Sequence, residues 1–325
     1  MDAALQYLID FNWPMAIAAI GVGVVVGLTG MGGGALMTPV LVLGFGVSPL
    51  TAVSSDLITS AVMKPAGSVV HARHGTVNWP IVIWLAVGSV PAAFCGSLVI
   101  SAVGELTGVQ TFVKAALGWV LLLAAILIGV RAFIGMRNRA RERRDGTTTR
   151  RDDAAVTKVR PIPTLIVGII GGLMVGLTSV GSGSLIIIAL MLLYPLLSMN
   201  RLVGTDLVQA VPLVIAAALG HLLFGDVDWA VVVPLIVGSV PGAVLGARLS
   251  SVAPSGIVRR ALAVVLLASS LRMLGVSISW TIAAVSLALV AATVGWMWLR
   301  RAHGLEATFA LERQKRDSVQ DGARD

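Results

Sequence analysis

Apolar residues run along this chain in stretches of about 20, divided by short polar segments, which is the length an α-helix needs to cross a hydrocarbon core about 30 Å thick. The pattern predicts seven crossings, at 50–71, 79–101, 109–134, 200–223, 229–250, 257–274 and 279–299. Two other apolar stretches, 13–46 and 161–196, are too long for one span. As straight helices each would reach about 50 Å at 1.5 Å per residue. Both are interrupted by glycines and hydroxyls, GLTGMGGGAL at 27–36 and GLTSVGSGSL at 176–185. Glycine weakens a helix by roughly 1 kcal/mol relative to alanine, so each stretch is expected to be helix, unwound break, helix.

Composition agrees with lipid as the solvent. Of 325 residues 57% are hydrophobic and only 12% charged, with a mean hydropathy of +0.92, whereas a soluble domain carries roughly 25% charged residues. The first ten residues hold Asp2 and Asp10 but no Lys or Arg, unlike the basic start of a secretory signal peptide, so this segment is expected to stay in the mature protein. The single cysteine, Cys95, lies in an apolar span and is expected to pack there. It rules out an intramolecular disulfide and a cysteine-rich metal site.

Sliding the chain over itself by about 150 residues exposes an internal duplication. Beyond the two glycine clusters, Asp56-Leu57 matches Asp206-Leu207, His71 matches His221, and Gly75, Val77 and Trp79 match Gly225, Val227 and Trp229. Gly88-Ser89-Val90-Pro91 matches Gly238-Ser239-Val240-Pro241, and Gly96 matches Gly246, all without a gap.

Basic residues gather on the cytoplasmic side of spans, and here they cluster in 135–160 and after 299. Both clusters can be inside only if an even number of crossings separates them. The broken stretch 161–196 is then a re-entrant hairpin, and each copy has one hairpin and three crossings. An odd number of crossings makes the copies antiparallel. The expected architecture is an all-α polytopic membrane protein with two inverted repeats, an extra C-terminal transmembrane helix, an outside N-terminus and a cytoplasmic C-terminus. Its divisions are a first repeat at 1–134, a basic cytoplasmic linker at 135–160, a second repeat at 161–275, the extra helix at 276–299 and a basic tail at 300–325. The linker from 137 and the tail from 303 lack apolar periodicity and are expected to be partly disordered.

Inverted repeats whose unwound helices meet at the midplane are a transporter architecture, since bare backbone at that depth must be buried or line a cavity. Helix N-termini at the breaks suit an anion. The expected binding residues are Thr29, Gly30, Met31, Gly32, Gly33 and Gly34, facing Thr178, Ser179, Gly181, Ser182, Gly183 and Ser184. Close helix packing through small residues is the alternative role for the glycines, but packing alone does not require the adjacent hydroxyls.

The paired glycine-rich segments, the Asp-Leu after each, and the HxxxG, Trp and GSVP of each half resemble the TauE/SafE sulfite exporter family of membrane anion transporters. The resemblance covers nearly the whole chain apart from linker and tail. It implies cargo among sulfite, sulfonates, sulfoacetate and related sulfur compounds, exported across the cytoplasmic membrane. The second copy carries Ser182 and Ser184 where the first has Gly33 and Ala35, so the two half-sites cannot be chemically equal.

Ionisable residues inside spans are functional candidates because each costs several kcal/mol, about 2.5–3.5 on insertion scales, unless paired or hydrated. Asp56 and Asp206 either carry protons for coupling or cap free amides of the adjacent hairpin. Lys64, two turns beyond Asp56 on the same face with Ser60 between, either pairs with Asp56 or meets the anion; its counterpart is Val214. Gln209, opposite Thr59 in the other copy, is a weaker candidate. His71 and His221 either titrate near neutral pH or hydrogen-bond a loop. Trp79 and Trp229 read as interfacial anchors. The net charge of +8 and pI of about 10.7 are accounted for by topology and attraction to anionic lipid, so nucleic acid is not an expected partner. Walker A, HExxH and cysteine-cluster patterns are missing, so neither catalytic residues nor a metal or cofactor is expected. A passive anion channel or uniporter uses the same residues and stays open as an alternative, as does an importer of a related sulfur-containing anion. Homodimerisation is compatible with the sequence, although no residue points to it.

Overall fold

A computed structural model of the chain describes residues 11–29, 33–104, 108–145, 159–249 and 255–302. All named elements among them are helical: α1 (Trp13–Thr29), α2 (Gly34–Pro39) running into a π turn (Val40–Gly44), α3 (Pro49–Arg73), α4 (Trp79–Gly104) and α5 (Val109–Asp145). The second copy repeats them as α6 (Pro161–Thr178), α7 (Leu185–Leu193), α8 (Met199–Phe224), α9 (Trp229–Leu249) and α10 (Ser255–Met273), and α11 (Ile278–Ala302) follows. Six of these, α4, α5, α6, α8, α9 and α11, are long and apolar enough to cross a membrane. Helices also occupy the expected crossings at 50–71 and 257–274. Their hydropathy is lowered by Ser54, Ser55, Asp56, Thr59, Ser60 and Lys64 in α3 and by Arg259, Arg260 and Arg272 in α10.

The chain divides into two units, Met1–Ile128 with Arg151–Val276, and Gly129–Arg150 with Ser277–Asp325. In the second, helix α5 continues to Asp145, so the linker expected to be partly disordered begins as helix. The rest of that expectation, 146–158 and the tail from 303, lies outside the described residues. Along α11, Trp280, Ile282, Leu287 and Val290 are exposed, as a lipid-facing helix requires.

In the first unit the duplication is also a duplication of contacts. Helix α1 packs on α9, and its counterpart α6 packs on α4, the counterpart of α9. A Cβ built on Gly27 would lie 2.2 Å from the Ala243 carbonyl oxygen; on Gly176, its equivalent, it would lie 2.2 Å from that of Ala93. Gly23 meets Ser239 as Gly172 meets Ser89, and Gly238 meets Ala16 as Gly88 meets Leu165. Each copy thus lends its broken helix to the GSVP helix of the other, the self-complementary pattern of a two-fold interface, with small residues letting backbones touch where lipid supplies no hydrophobic drive. Helices α3 and α8, equivalent to each other, also pack together. The start of α3 meets the end of α8, through Ser54 Oγ and His221 Nδ1 at 2.8 Å. The loop after α3 meets the start of α8, where Asn78 N donates to Thr205 Oγ1 at 3.0 Å. The two equivalent helices are therefore antiparallel.

The second expected break is present, between Thr178 and Leu185, while residues 30–32 of the first lie outside the described residues. Helix α1 ends at Thr29 and α6 at Thr178, where each threonine bonds back to a carbonyl of its own helix, Val25 O at 2.8 Å and Met174 O at 2.7 Å. After its break the second stretch returns to its origin. The Tyr194 hydroxyl, just past α7, accepts from Arg160 N at 3.0 Å and lies 2.5 Å from Thr164 Oγ1, at the first turn of α6. Cys95 is exposed rather than packed, because α4 buries the face carrying Ile81, Leu85, Ser89 and Ala93.

Candidate functional site

The two breaks touch. A Cβ on Gly34 would lie 2.0 Å from the Ser179 carbonyl oxygen, so here only glycine admits the opposing backbone. Gly33 looks toward α3, where a Cβ would stand 3.4 Å from Met63 Cε, 3.6 Å from Asp56 Oδ1 and 3.8 Å from Ser60 Oγ. Gly30, Met31 and Gly32 lie outside the described residues.

The second break supplies the hydroxyls. Ser179 follows α6 in a left-handed conformation, φ 59°, ψ −1°, which costs a side-chain-bearing residue roughly 1–2 kcal/mol. Helices usually place glycine at such a position, and the first copy has Gly30 there. The serine gives something glycine lacks: its hydroxyl donates to Asp56 Oδ2 on α3. A strained residue making a buried polar contact is a mark of a working site. Three residues on, Ser182 Oγ accepts from Lys64 Nζ at 2.6 Å. Gly181 and Gly183 hold φ of 145° and 87°, and Gly181 O accepts from the amides of Leu185 and Ile186. The amides of Leu185 and Ile186 are thereby occupied, and the break adds hydroxyls and the Lys64 ammonium to what it offers an anion. Ser184 Oγ, at the head of α7, is buried and has no hydrogen-bond partner among the described residues, as is also true of Ser55 Oγ, Thr38 Oγ1 and Ser239 Oγ.

Asp56, Lys64, Asp206 and Gln209 are all buried. Lys64 feels the charges of Asp206 and Asp56, and its hydrogen bond to Ser182 places it between the copies rather than only pairing along its own helix with Asp56. Asp56 takes a side-chain hydroxyl from the opposite copy's break; the amides of Gly30, Met31 and Gly32 in the adjacent one lie outside the described residues. Gln209 donates from Nε2 to Ser89 Oγ at 2.6 Å, and its Oε1 is buried without a partner among the described residues.

The two histidines part company. His71 is half-buried and bonds Thr76 in the following loop at 3.1 Å, as a loop-binding histidine should. His221 is fully buried and bonds Ser54 Oγ with Nδ1 and the Gly176 carbonyl with Nε2, at 2.8 and 2.7 Å. A carbonyl only accepts, so Nε2 carries the hydrogen. The ring clamps α8 to α3 two residues before Asp56, and to α6 three residues before Ser179. Ser54 and Ser89 were not singled out by sequence reasoning. Ser54 has Gly204 as its counterpart, and Ser89 belonged to the repeated GSVP, whose matching signalled duplication rather than chemistry.

A polytopic helical protein with charged side chains gathered where two broken helices meet is built as a membrane transport protein. The profile of the family described as Sulfite exporter TauE/SafE matches residues 15–273, and the chain belongs to that family. It is 38% identical over 233 residues to the "Probable membrane transporter protein YjnA" of Bacillus subtilis (strain 168), covering 70% of this chain and 86% of that protein. To the "Probable membrane transporter protein YdhB" of the same organism it is 28% identical over 247 residues, covering 74% and 91%. A "Probable membrane transporter protein" of Xylella fastidiosa (strain 9a5c) is 27% identical over 231 residues, covering 71% and 81%. No solved structure matches the chain at a significant level.

Proposed function

We propose that the protein is a secondary transporter that exports sulfite or a small organosulfonate such as sulfoacetate across the cytoplasmic membrane, by alternating access around the meeting point of the two breaks. Protons carried by Asp56 and Asp206 drive it, and it has no catalytic residues, metal or cofactor of its own. The observation that carries this reading is the buried Lys64 ammonium held against Ser182 where the breaks meet. A cation at membrane depth is costly and marks an ion pathway, and the copy that lacks it has Val214.

The two copies are inverted repeats in this reading, which is supported by the antiparallel run of α3 against α8. A re-entrant course for 161–196 is supported by the contact of Tyr194 with Thr164 and Arg160. Basic residues at 135–160 and after 299 orient the C-terminus to the cytoplasm and the N-terminus outside. The test is sulfite and sulfoacetate flux in proteoliposomes with and without a pH gradient, comparing wild type with Asp56→Asn and Asp206→Asn. Gradient-driven flux that loses its pH response in either variant is expected. Flux of neither anion would overturn the cargo, and gradient-independent flux unchanged in both variants would make the aspartates structural.

A further inference from the structure

The duplication made two Asp56-type positions but one Lys64-type position, and the surroundings followed suit. Ser179 and Ser182 approach Asp56 and Lys64 from the opposite copy, whereas the equivalent first-copy positions are Gly30 and Gly33 and the equivalent of Lys64 is Val214. The side chains that can hold an anion thus all lie on one side of the two-fold relation. Resting on the transporter reading above, we propose that each chain has a single anion site, at Lys64, Ser182 and Ser179, and that a monovalent oxyanion such as hydrogensulfite or a sulfonate occupies it together with one proton taken up by Asp56 or Asp206.

The argument is one of buried charge. Among the described residues the buried Asp, Glu, Lys, Arg and His are Asp56, Lys64, Asp206 and His221. His221 meets both its hydrogen bonds as a neutral ring, with Ser54 donating to Nδ1 and Nε2 donating to Gly176 O. Of the helices packed on α3, α8 brings Asp206, His221 and, half-buried in its first turn, Arg201, and α9 brings Arg248, exposed in its last turn; α2 and its π turn bring none. Asp226, after α8, faces only the start of α3, accepting from Thr51. Two carboxylates and one ammonium leave the cluster one negative charge in excess. A monovalent anion placed on Lys64 adds a second, in a low-dielectric setting where like charges repel strongly. A proton from the aqueous phase, bound to one carboxylate, restores the starting charge, and anion and proton then cross with no net charge moved. A dianion such as sulfate would need a second proton and is disfavoured. Sulfite meets the condition as its singly protonated form.

Methanesulfonate is a suitable probe because its own acid is strong, so any proton taken up belongs to the protein. Purified full-length protein in weakly buffered detergent is titrated with methanesulfonate while binding is followed by calorimetry and proton uptake by a pH indicator. Binding of about one anion per chain with about one proton is expected, with proton uptake lost in Asp56→Asn or Asp206→Asn and binding lost in Lys64→Val. In proteoliposomes, wild-type methanesulfonate flux should follow a pH gradient and ignore a potassium-diffusion potential, while the aspartate variant that has lost proton uptake should follow the potential instead. Two anions per chain, binding without proton uptake, or wild-type flux driven by the potential would overturn this proposal and leave the transporter reading standing. If neither methanesulfonate nor sulfite binds or moves, both fall.

Discussion

Ser179, in the break of the second copy, donates its hydroxyl to Asp56, in the third helix of the first. The residue accepts a left-handed backbone to do so, and this separates two roles that substitutions can test. Ser179→Gly removes the hydroxyl but relieves the backbone, whereas Ser179→Ala removes the hydroxyl and keeps the strain. Ser179→Gly should be the more thermostable of the two by about 1 kcal/mol, read as a higher unfolding temperature in detergent. Both should lose anion flux. A fully active Ser179→Gly would reduce Ser179 to a helix terminator.

Lys64 and Ser182 form a hydrogen bond to a charged donor, a class worth about 1.5–3 kcal/mol. Ser182→Ala should therefore raise the KM for the transported anion about 10- to 100-fold with folding intact, since Gly33 fills the same position in the first copy. Concentration-dependent uptake in proteoliposomes measures it.

His221 and His71 occupy equivalent positions with unequal duties. His221→Leu strands the Ser54 hydroxyl and the Gly176 carbonyl, each at about 1–3 kcal/mol, and should lower the unfolding temperature markedly. His71→Leu, which frees a partly exposed loop contact, should change it little. Parallel thermal scans of the two purified variants decide the matter, and equal effects would contradict the clamp.

Helix α1 offers an internal control for close packing. Gly27→Ala puts a methyl where the Ala243 carbonyl stands 2.2 Å away, while a methyl at Gly21 meets nothing within 4 Å. Gly27→Ala should reduce the yield of monodisperse protein, and Gly21→Ala should be neutral or slightly stabilising, because alanine favours helix over glycine by about 1 kcal/mol. Size-exclusion profiles after identical extraction compare them.

The broken stretches, the duplication and the pairing of glycine-rich segments were legible because each rests on local composition: a run too long for one span, glycine at its middle, and a sequence that repeats. Exchange of partners between copies was not legible, since Gly27 and Gly176 read equally well as break-forming or packing residues until Ala243 and Ala93 are seen against them. The same holds for His221. Its match to His71 left titration and a loop contact open for both, but burial depends on Ser54 and Gly176, which arrive from helices distant in the chain. The helical extension of α5 to Asp145 was hidden because its residues are charged and show no apolar period, although Arg and Glu favour helix.

The most direct measurement of the central claim is counterflow of labelled sulfite in proteoliposomes loaded with unlabelled sulfite, for wild type and Lys64→Val. A carrier with its site at the meeting of the breaks predicts transient accumulation of label in wild type, suppressed by external methanesulfonate and lost in Lys64→Val. Labelled sulfite that equilibrates without accumulating, at the same rate in both proteins, would contradict it.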